Sequence, residues 1–159
     1  MENKLNQIGL DKIKVEGLAI ELNDLLANYS VFYQNVRGFH WKIKGSNFFE
    51  LHIKFEELYN DLFIKIDDVA ERILTLGHLP VHNFSSYLEK AEIQEFSNSF
   101  DGNIAVNEIL NSFKILLTKQ RSILNLAALI DDEGTGALMS DYVREQEKLV
   151  WMYAAFLSA

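Results

Sequence analysis

Apolar residues recur every three or four positions from about residue 48 to residue 76, and this periodicity constrains the fold more than any other feature of the chain. Such spacing predicts a long α-helix that buries one continuous stripe. A helix of this kind packs against partner helices, so the pattern favours a helical bundle. The stripe consists of Leu51, Phe55, Leu58, Leu62, Ile66, Val69, Ile73 and Leu76.

Three other segments show the same helical periodicity. The 159 residues are the size of one domain, and a hydrophobic content of 48% is sufficient for a substantial core. We therefore predict an all-α fold in which residues 1–159 form a single four-helix domain. The predicted helices run from about Val15 to Lys44, Phe48 to Leu76, Ile104 to Ile130 and Thr135 to Leu157.

The stretch between residues 77 and 103 has a different character. It contains the only proline, Pro80, and a short apolar segment, Tyr87-Leu88, that could form a brief helix. Such a long connection is uncommon in a compact domain, but a four-helix bundle with one crossover needs it to return the chain to its other end. His78 and His82 flank the proline without a carboxylate at ligand spacing, and we expect them in a surface loop.

Two histidines lie on either side of the first turn between helices. His40 is on the inward stripe near the end of the first helix, and Gly45 ends that helix. Asn47 can cap the next helix, with Glu50 completing a capping box, which places His52 in the second turn. The resulting hairpin should bring His40 and His52 close together.

A second file of residues lies one position further around the second helix. Imidazole and carboxylate groups four residues apart suit a divalent transition metal, and the file holds a pair of candidate ligands near each end. Taken singly, an inward histidine is usually a satisfied core residue and an acidic pair is usually solvated. Their combination across a tight turn indicates a metal site. The file consists of His52, Glu56, Tyr59, Phe63, Asp67 and Glu71.

One straight helix cannot close this site, because Glu56 and Asp67 lie roughly 16 Å apart along it. The file is nearly symmetrical about the helix midpoint, so two copies could cross antiparallel about a two-fold axis. His52 would then approach Glu71 of the partner subunit, and Glu56 would approach Asp67 of the partner subunit. The spacing therefore predicts two equivalent metal sites, each shared between two subunits.

The residues around this file form a specific pattern: His40-Trp41, Gly45, Asn47-Phe48, Leu51-His52, Phe55, Asp67, Ala70-Glu71-Arg72-Ile73 and Leu76-Gly77. This pattern resembles the signature of the Dps family, the mini-ferritins of the ferritin-like superfamily. The resemblance extends over nearly the whole chain. It implies a ferritin-like four-helix subunit, a hollow homododecamer with ferroxidase sites at its two-fold interfaces, and ferric mineral in the cavity.

By this resemblance the metal is iron, without haem, and Fe(II) is oxidised by hydrogen peroxide in preference to oxygen. The family's ligand positions fall on His40, His52 and Glu56 of one subunit and on Asp67 and Glu71 of its neighbour. Glu56 stands where aspartate is more usual. A di-iron site and a single iron with a weaker second position therefore both remain open.

One further pair of residues matches a family feature, and another pair lies beside the expected ligands. Asp132 and Asp141 resemble acids that line the three-fold pores for ferrous ions, although Ala137 stands where the family often has aspartate. Trp41 and Tyr59 neighbour the expected ligands. Such aromatics are most often core residues; alternatively, they donate electrons and keep oxidising equivalents away from solvent.

Composition and missing motifs exclude several other classes. The chain has no cysteine, which removes disulfides, thiolate metal sites and cysteine catalysis. No Glu-x-x-His motif occurs, which disfavours a di-iron site within one bundle. No apolar run is long enough to span a membrane, and the first residues lack the hydrophobic segment of a signal peptide. We therefore expect a soluble cytoplasmic protein.

The formal net charge of −8 disfavours binding to nucleic acid and suits the uptake of cations. The first fourteen residues carry three lysines against two acids, so they form no strongly basic arm. We predict an iron-storage ferroxidase without strong DNA binding. Two alternatives remain open. A DNA-coating structural oligomer with little ferroxidase activity would need a basic surface, and a monomeric helical interaction module would need no self-complementary ligand file.

Overall fold

A computed structural model of the chain describes residues 4–98 and 100–158, and this part of the chain contains five α-helices and no β-strand. The helices are α1 (Lys12–Lys42), α2 (Phe48–Thr75), α3 (Phe84–Lys90), α4 (Gly102–Leu129) and α5 (Glu133–Leu157). The four long helices form a bundle, and the short α3 lies in the crossover between α2 and α4, as predicted. No helix within the described ranges is long and apolar enough to cross a bilayer.

Three helices begin directly after an aspartate whose side chain caps them. Asp11 accepts from the amides of the second and third residues of α1, at 2.9 and 3.2 Å. Asp101 and Asp132 accept in the same way at α4 and α5, both at 3.0 Å. These caps satisfy amides that have no partner within the helix. The three helices therefore begin two or three residues earlier than the apolar periodicity predicts.

The turn between α1 and α2 differs from the prediction. Asn47 precedes the first residue of α2, but its side chain makes no capping hydrogen bond, so the predicted capping box with Glu50 is wrong. The backbone closes the turn instead, because the Phe48 amide donates to the Gly45 carbonyl at 3.2 Å. Gly45 has a φ of +111°, a conformation that favours glycine and reverses the chain.

The predicted apolar stripes form the core. Every member of the α2 stripe is buried except Ile66, which is half-buried. Phe32 of α1 packs edge-on against Phe113 of α4, with ring centroids 5.3 Å apart, and Phe39 of α1 packs against Phe55 of α2 at 6.1 Å. These pairs fix α1 against both neighbours. Truncation of any of these four rings to alanine should cost roughly 3–5 kcal/mol of stability.

The centre of the bundle also contains a closed ring of polar side chains. The Tyr29 hydroxyl donates to the Gln120 side-chain carbonyl, and the Gln120 amide donates to the Gln146 carbonyl at 2.8 Å. The Gln146 amide then donates back to the Tyr29 hydroxyl at 2.5 Å. All three side chains are buried, so this ring gives each of them both a donor and an acceptor and joins α1, α4 and α5.

Two buried asparagines of α1 hold the long crossover in place. The Asn28 side-chain carbonyl accepts from the amides of Glu92 and Ile93, both at 3.0 Å. Two turns further along α1, the Asn35 side chain accepts from the Phe96 amide at 3.1 Å and donates to a crossover carbonyl at 2.9 Å. These bonds supply backbone partners that an irregular segment cannot supply for itself.

Candidate metal centre

His40 and His52 are held together by a reciprocal exchange of hydrogen bonds. Nδ1 of His40 lies 2.6 Å from the backbone carbonyl oxygen of His52, and Nδ1 of His52 lies 2.8 Å from that of His40. A carbonyl oxygen only accepts, so each Nδ1 must carry a proton and donate it. In the neutral imidazoles both Nε2 atoms therefore keep a free lone pair, which is the state that binds a metal ion.

The local backbone explains why this exchange forms. His40 lies in the last turn of α1, where carbonyl groups lack helical donors. The amide that would normally reach the His40 carbonyl belongs to Lys44, but it donates to the Phe100 carbonyl at 3.0 Å instead. His52 therefore acts both as a candidate ligand and as a cap for the end of α1.

Aromatic neighbours fix the two rings. The imidazoles of His40 and His52 are stacked with centroids 3.8 Å apart and planes 11° from parallel. Phe48 stacks against His52 at 4.9 Å, and Tyr59 meets His40 edge-on at 5.3 Å. His40 is buried and His52 is half-buried. The two histidines are therefore pre-organised by packing before any metal ion arrives.

The three candidate acidic ligands on α2 are exposed. In the described part of the chain, the carboxylates of Glu56, Asp67 and Glu71 have no hydrogen bond and no ion pair. Other acids of the same helix bundle are engaged: Asp61 pairs with Lys65 at 2.8 Å. The three file carboxylates are therefore free to accept a cation without breaking an existing contact.

One chain assembles only part of the predicted ligand set. The structure brings His40 and His52 together, whereas Asp67 lies roughly 16 Å along α2 from Glu56. Among residues 4–98 and 100–158, no group of three or more histidine, cysteine, aspartate or glutamate side chains could hold a metal ion. The ligands that the sequence predicts thus lie as two separate half-sites on the same helix.

Trp41 does not lie in the core, so that prediction is wrong. Its side chain is 59% exposed, and the Arg37 guanidinium stacks over it at 4.8 Å. Arg37 also lies 5.4 Å from the centre of the Tyr33 ring. Tyr59 is half-buried and contacts Tyr33 edge-on at 6.1 Å, in addition to His40. His40 is therefore connected to Arg37 by successive contacts through the rings of Tyr59 and Tyr33.

The structure also corrects the predicted pore acids. The Asp132 side chain is only 2% exposed and lies 2.6 Å from the Arg72 guanidinium. It also accepts from the Thr135 amide at 3.0 Å and from the Thr135 hydroxyl at 2.5 Å. Asp132 is therefore a buried helix cap and offers no free carboxylate to passing ions. Asp141 is exposed, as a pore acid would be, and pairs with Arg144 at 3.0 Å.

A buried cation, which the apolar periodicity does not predict, lies beside the apolar stripe of α2. Lys65 is 4% exposed and donates to Asp61 and Glu145, both at 2.8 Å, while its ammonium lies 4.9 Å from the centre of the Tyr142 ring. Asp61 stands four residues before Lys65, and this spacing was the only signal in the sequence. His78 and His82 lie in the loop between α2 and α3, half-buried and exposed respectively, as predicted.

Comparison with known proteins agrees with this architecture. Residues 20–159 match the family model of the ferritin-like domain. The chain is 41% identical over 156 residues to the DNA protection during starvation protein of Porphyromonas gingivalis, and the match covers 98% of each chain.

Solved structures give the same result. The Dps protein of Vibrio cholerae O1, described as a member of a broad superfamily of ferritin-like diiron-carboxylate proteins, superposes with a TM-score of 0.97. It is 56% identical, over 99% of both chains. A Dps protein from Bacillus brevis superposes with a TM-score of 0.88 at 36% identity, over 91% of this chain and 97% of that one.

The bundle, its crossover and these matches define a ferritin-like subunit. Within that class, the chain belongs to the Dps family, as the pattern around His40 and His52 indicates.

Proposed function

We propose that this protein is an iron-storage ferroxidase. It binds Fe(II) at sites shared between two subunits, oxidises it, and keeps the ferric product in the cavity of a homododecamer. The observation that carries the proposal is the exchange between His40 and His52, which leaves both Nε2 atoms available at one end of a file of unpartnered carboxylates. Membership of a ferritin-like family supports iron as the metal.

Two antiparallel copies of α2 would complete each site. The ligand file is symmetrical about a point between Asp61 and Leu62, so a two-fold axis there pairs each histidine half-site with an acidic half-site. Phe63 and Ile64 lie beside this point and are 62% and 57% exposed in the single chain. Since part of each side chain is already covered, its burial by a second copy would contribute roughly 1–2 kcal/mol.

The ligand set suits both oxidation states of iron. Imidazole nitrogen binds Fe(II) well, and carboxylate oxygen stabilises the more highly charged Fe(III). His40, His52 and Glu56 of one subunit would hold one iron together with Asp67 of the partner subunit. Glu71 of the partner subunit, with water, would hold a second iron more weakly. Glu56 is one methylene longer than the usual aspartate and can still reach the metal by a change of rotamer.

The reaction uses hydrogen peroxide, by analogy with the family. One peroxide takes one electron from each of two ferrous ions, its oxygen–oxygen bond breaks, and both oxygens leave in water or in the ferric product. Hydrolysis of the two ferric ions to oxyhydroxide releases four protons per peroxide in all. Because the two electrons are supplied together, no hydroxyl radical is released.

DNA coating is the weaker alternative for this chain. The net charge is −8, and residues 4–11 are folded back onto the bundle. The Asn6 side chain accepts from the amides of Ile8 and Leu10 at 3.1 and 2.9 Å, and donates to the Leu76 carbonyl at 3.4 Å. The Lys12 amide donates to the Lys4 carbonyl at 2.9 Å. Residues 4–11 therefore do not project as a basic arm.

One preparation tests the proposal. Light scattering should give a particle of about 220 kDa, twelve chains of 18.3 kDa each. Anaerobic addition of Fe(II), followed by one peroxide per two ferrous ions, should then produce ferric absorbance in the near ultraviolet much faster than in buffer. His52→Ala should lose this acceleration, whereas the control His78→Ala, in the loop outside the file, should keep it.

The outcomes separate the alternatives. A monomer that leaves iron oxidation at the buffer rate would favour a helical interaction module. A dodecamer with the buffer rate of oxidation would favour a structural oligomer without ferroxidase activity.

A further inference from the structure

We infer that Arg72 is a positioning residue for the acidic half of the metal site. This inference rests on the proposed function, because it assigns to Arg72 the task of fixing Asp67 and Glu71 for the partner subunit. It adds a residue that does not touch the metal and is not one of the proposed ligands.

The need for such a residue follows from where the ligands lie on α2. The histidine half-site is in the second turn of this helix, and Glu71 is only four residues before its last residue, Thr75. Helix ends open more easily than helix centres, because their last carbonyls lack helical donors. The exchange between His40 and His52 ties the first end to α1. The second end packs through the buried Ile73 and Leu76. A polar tie next to Glu71 adds to this packing.

Arg72 supplies this tie in the last turn of α2. Its Nη2 lies 2.6 Å from an Asp132 carboxylate oxygen, and its Nε donates to the Thr135 hydroxyl at 2.9 Å. Both partners are at the start of α5 and are buried. The Arg72 side chain is 18% exposed and that of Asp132 is 2% exposed, so solvent screens this ion pair far less than a surface pair.

Gly134 makes room for the Arg72 guanidinium. A Cβ added at Gly134 would lie 2.9 Å from both Arg72 Nη atoms, so the absence of a side chain there lets the guanidinium lie against the start of α5. Asp132 is itself fixed, because it caps α5 through the Thr135 amide and hydroxyl. Arg72 is therefore clamped from several directions.

The acidic ligands have no comparable support of their own. In the part of the chain that the structure describes, the carboxylates of Asp67 and Glu71 have neither a hydrogen bond nor an ion pair. Their positions depend on the helix that carries them. Loss of the Arg72 clamp should therefore loosen the last turn of α2 and weaken metal binding without removing a ligand.

The test uses the full-length protein with Co(II) as the probe, in the absence of oxygen. The signal is the part of the visible Co(II) absorption that His52→Ala abolishes. Arg72→Leu should weaken Co(II) affinity about tenfold, the low end of what outer partners of metal ligands contribute. Arg72→Lys should recover part of the affinity, because an ammonium can still pair with Asp132.

Hydrogen exchange gives a second readout. Arg72→Leu should speed exchange in residues 66–76 and leave residues 48–58 unchanged. Asp132→Asn, which can still cap α5, should produce the same local change if Arg72→Leu does not fold. The matched control is Lys119→Met, which removes another largely buried ion pair, to Asp24, and should keep wild-type Co(II) affinity.

Wild-type affinity in Arg72→Leu, or an equal loss in Lys119→Met, would overturn the inference. If Arg72→Leu does not fold, unchanged exchange of residues 66–76 in Asp132→Asn would do so. A wild-type protein that shows no Co(II) absorption dependent on His52 would overturn the proposed function itself, and the inference with it.

Discussion

His40 and His52 each donate a hydrogen bond from Nδ1 to the backbone carbonyl of the other, at 2.6 and 2.8 Å. This exchange joins the end of α1 to the start of α2 and at the same time fixes the tautomer of both imidazoles. The two roles use different nitrogens, so they can be separated by substitution.

The first prediction separates capping from metal binding at His52. His52→Phe keeps a ring against Phe48 but loses the donor to the His40 carbonyl, and should cost about 1 kcal/mol of unfolding free energy. His52→Asn can keep a donor but loses the ring contacts with His40 and Phe48. His52→Ala loses both the ring and the donor and should be less stable than His52→Asn by about 1 kcal/mol. All three variants should lose metal affinity. Urea titrations and Co(II) absorption measure the two effects, and equal stability of His52→Asn and His52→Ala would contradict the capping role.

The second prediction concerns alkaline pH. Burial raises the pKa of Tyr29, Tyr142 and Tyr153 above the ordinary value of 10.0, and for Tyr142 the nearby Asp68 carboxylate adds to the effect. A raised pKa in the folded state gives stability that is fully present below pH 10 and is lost as the pH rises further. Unfolding in urea should therefore become easier above about pH 10. Absorbance at 295 nm should show at most three of the six tyrosines ionised before unfolding.

A conservative variant checks the origin of this pH dependence. The Tyr153 hydroxyl has no hydrogen bond in the described part of the chain, so Tyr153→Phe removes a titrating group without breaking a bond. The slope of stability against pH above 10 should fall by about 1.4 kcal/mol per pH unit. An unchanged slope would show that another group is responsible.

The third prediction distinguishes two aspartates that look alike in the sequence. Asp132→Ala removes a cap of α5 and leaves the Arg72 guanidinium unpaired, and should cost roughly 3–5 kcal/mol of unfolding free energy. Asp141→Ala removes only an exposed pair with Arg144 and should cost less than about 0.5 kcal/mol. Urea titration at one protein concentration compares them. If Asp141 is a pore acid, its variant alone should slow iron uptake.

The fold could be predicted well from the sequence, because the apolar periodicity of each long helix is contained in that helix's own residues. Both the apolar stripe of α2 and the neighbouring file of candidate ligands can be read from this spacing. The burial of Gln120 and Gln146, and the second partner of Lys65, Glu145, depend on contacts with other helices, which no local pattern reveals. The same limit applies to Asp132, since an acidic turn has the same sequence whether its side chain faces solvent or caps a helix.

At the candidate site, the sequence predicted that His40 and His52 lie together but not how they are held. Spacing alone placed His40 near His52. Their reciprocal hydrogen bonds form because the Lys44 amide, which would otherwise donate to the His40 carbonyl, donates to the carbonyl of Phe100, a residue far along the chain. Trp41 was predicted as core from its aromatic character, yet it is exposed beside Arg37.

The fourth prediction concerns DNA. A chain that has a net charge of −8 and whose residues 4–11 are folded back onto the bundle should not retard plasmid DNA in a gel at neutral pH and physiological salt. A complex that dissolves as the salt concentration rises would show that a local basic patch outweighs the net charge.

The shared site is the central claim, and a mixture of two inactive variants tests it most directly. His52→Ala and Asp67→Ala, each purified alone, should assemble but oxidise iron poorly, because every site lacks one ligand. After the two are unfolded together and reassembled, about half of the two-fold pairs are mixed, and one of the two sites in each mixed pair has no mutation. Roughly a quarter of the wild-type number of active sites should therefore return. Mixed assemblies that remain as inactive as their parents would contradict a site shared between subunits.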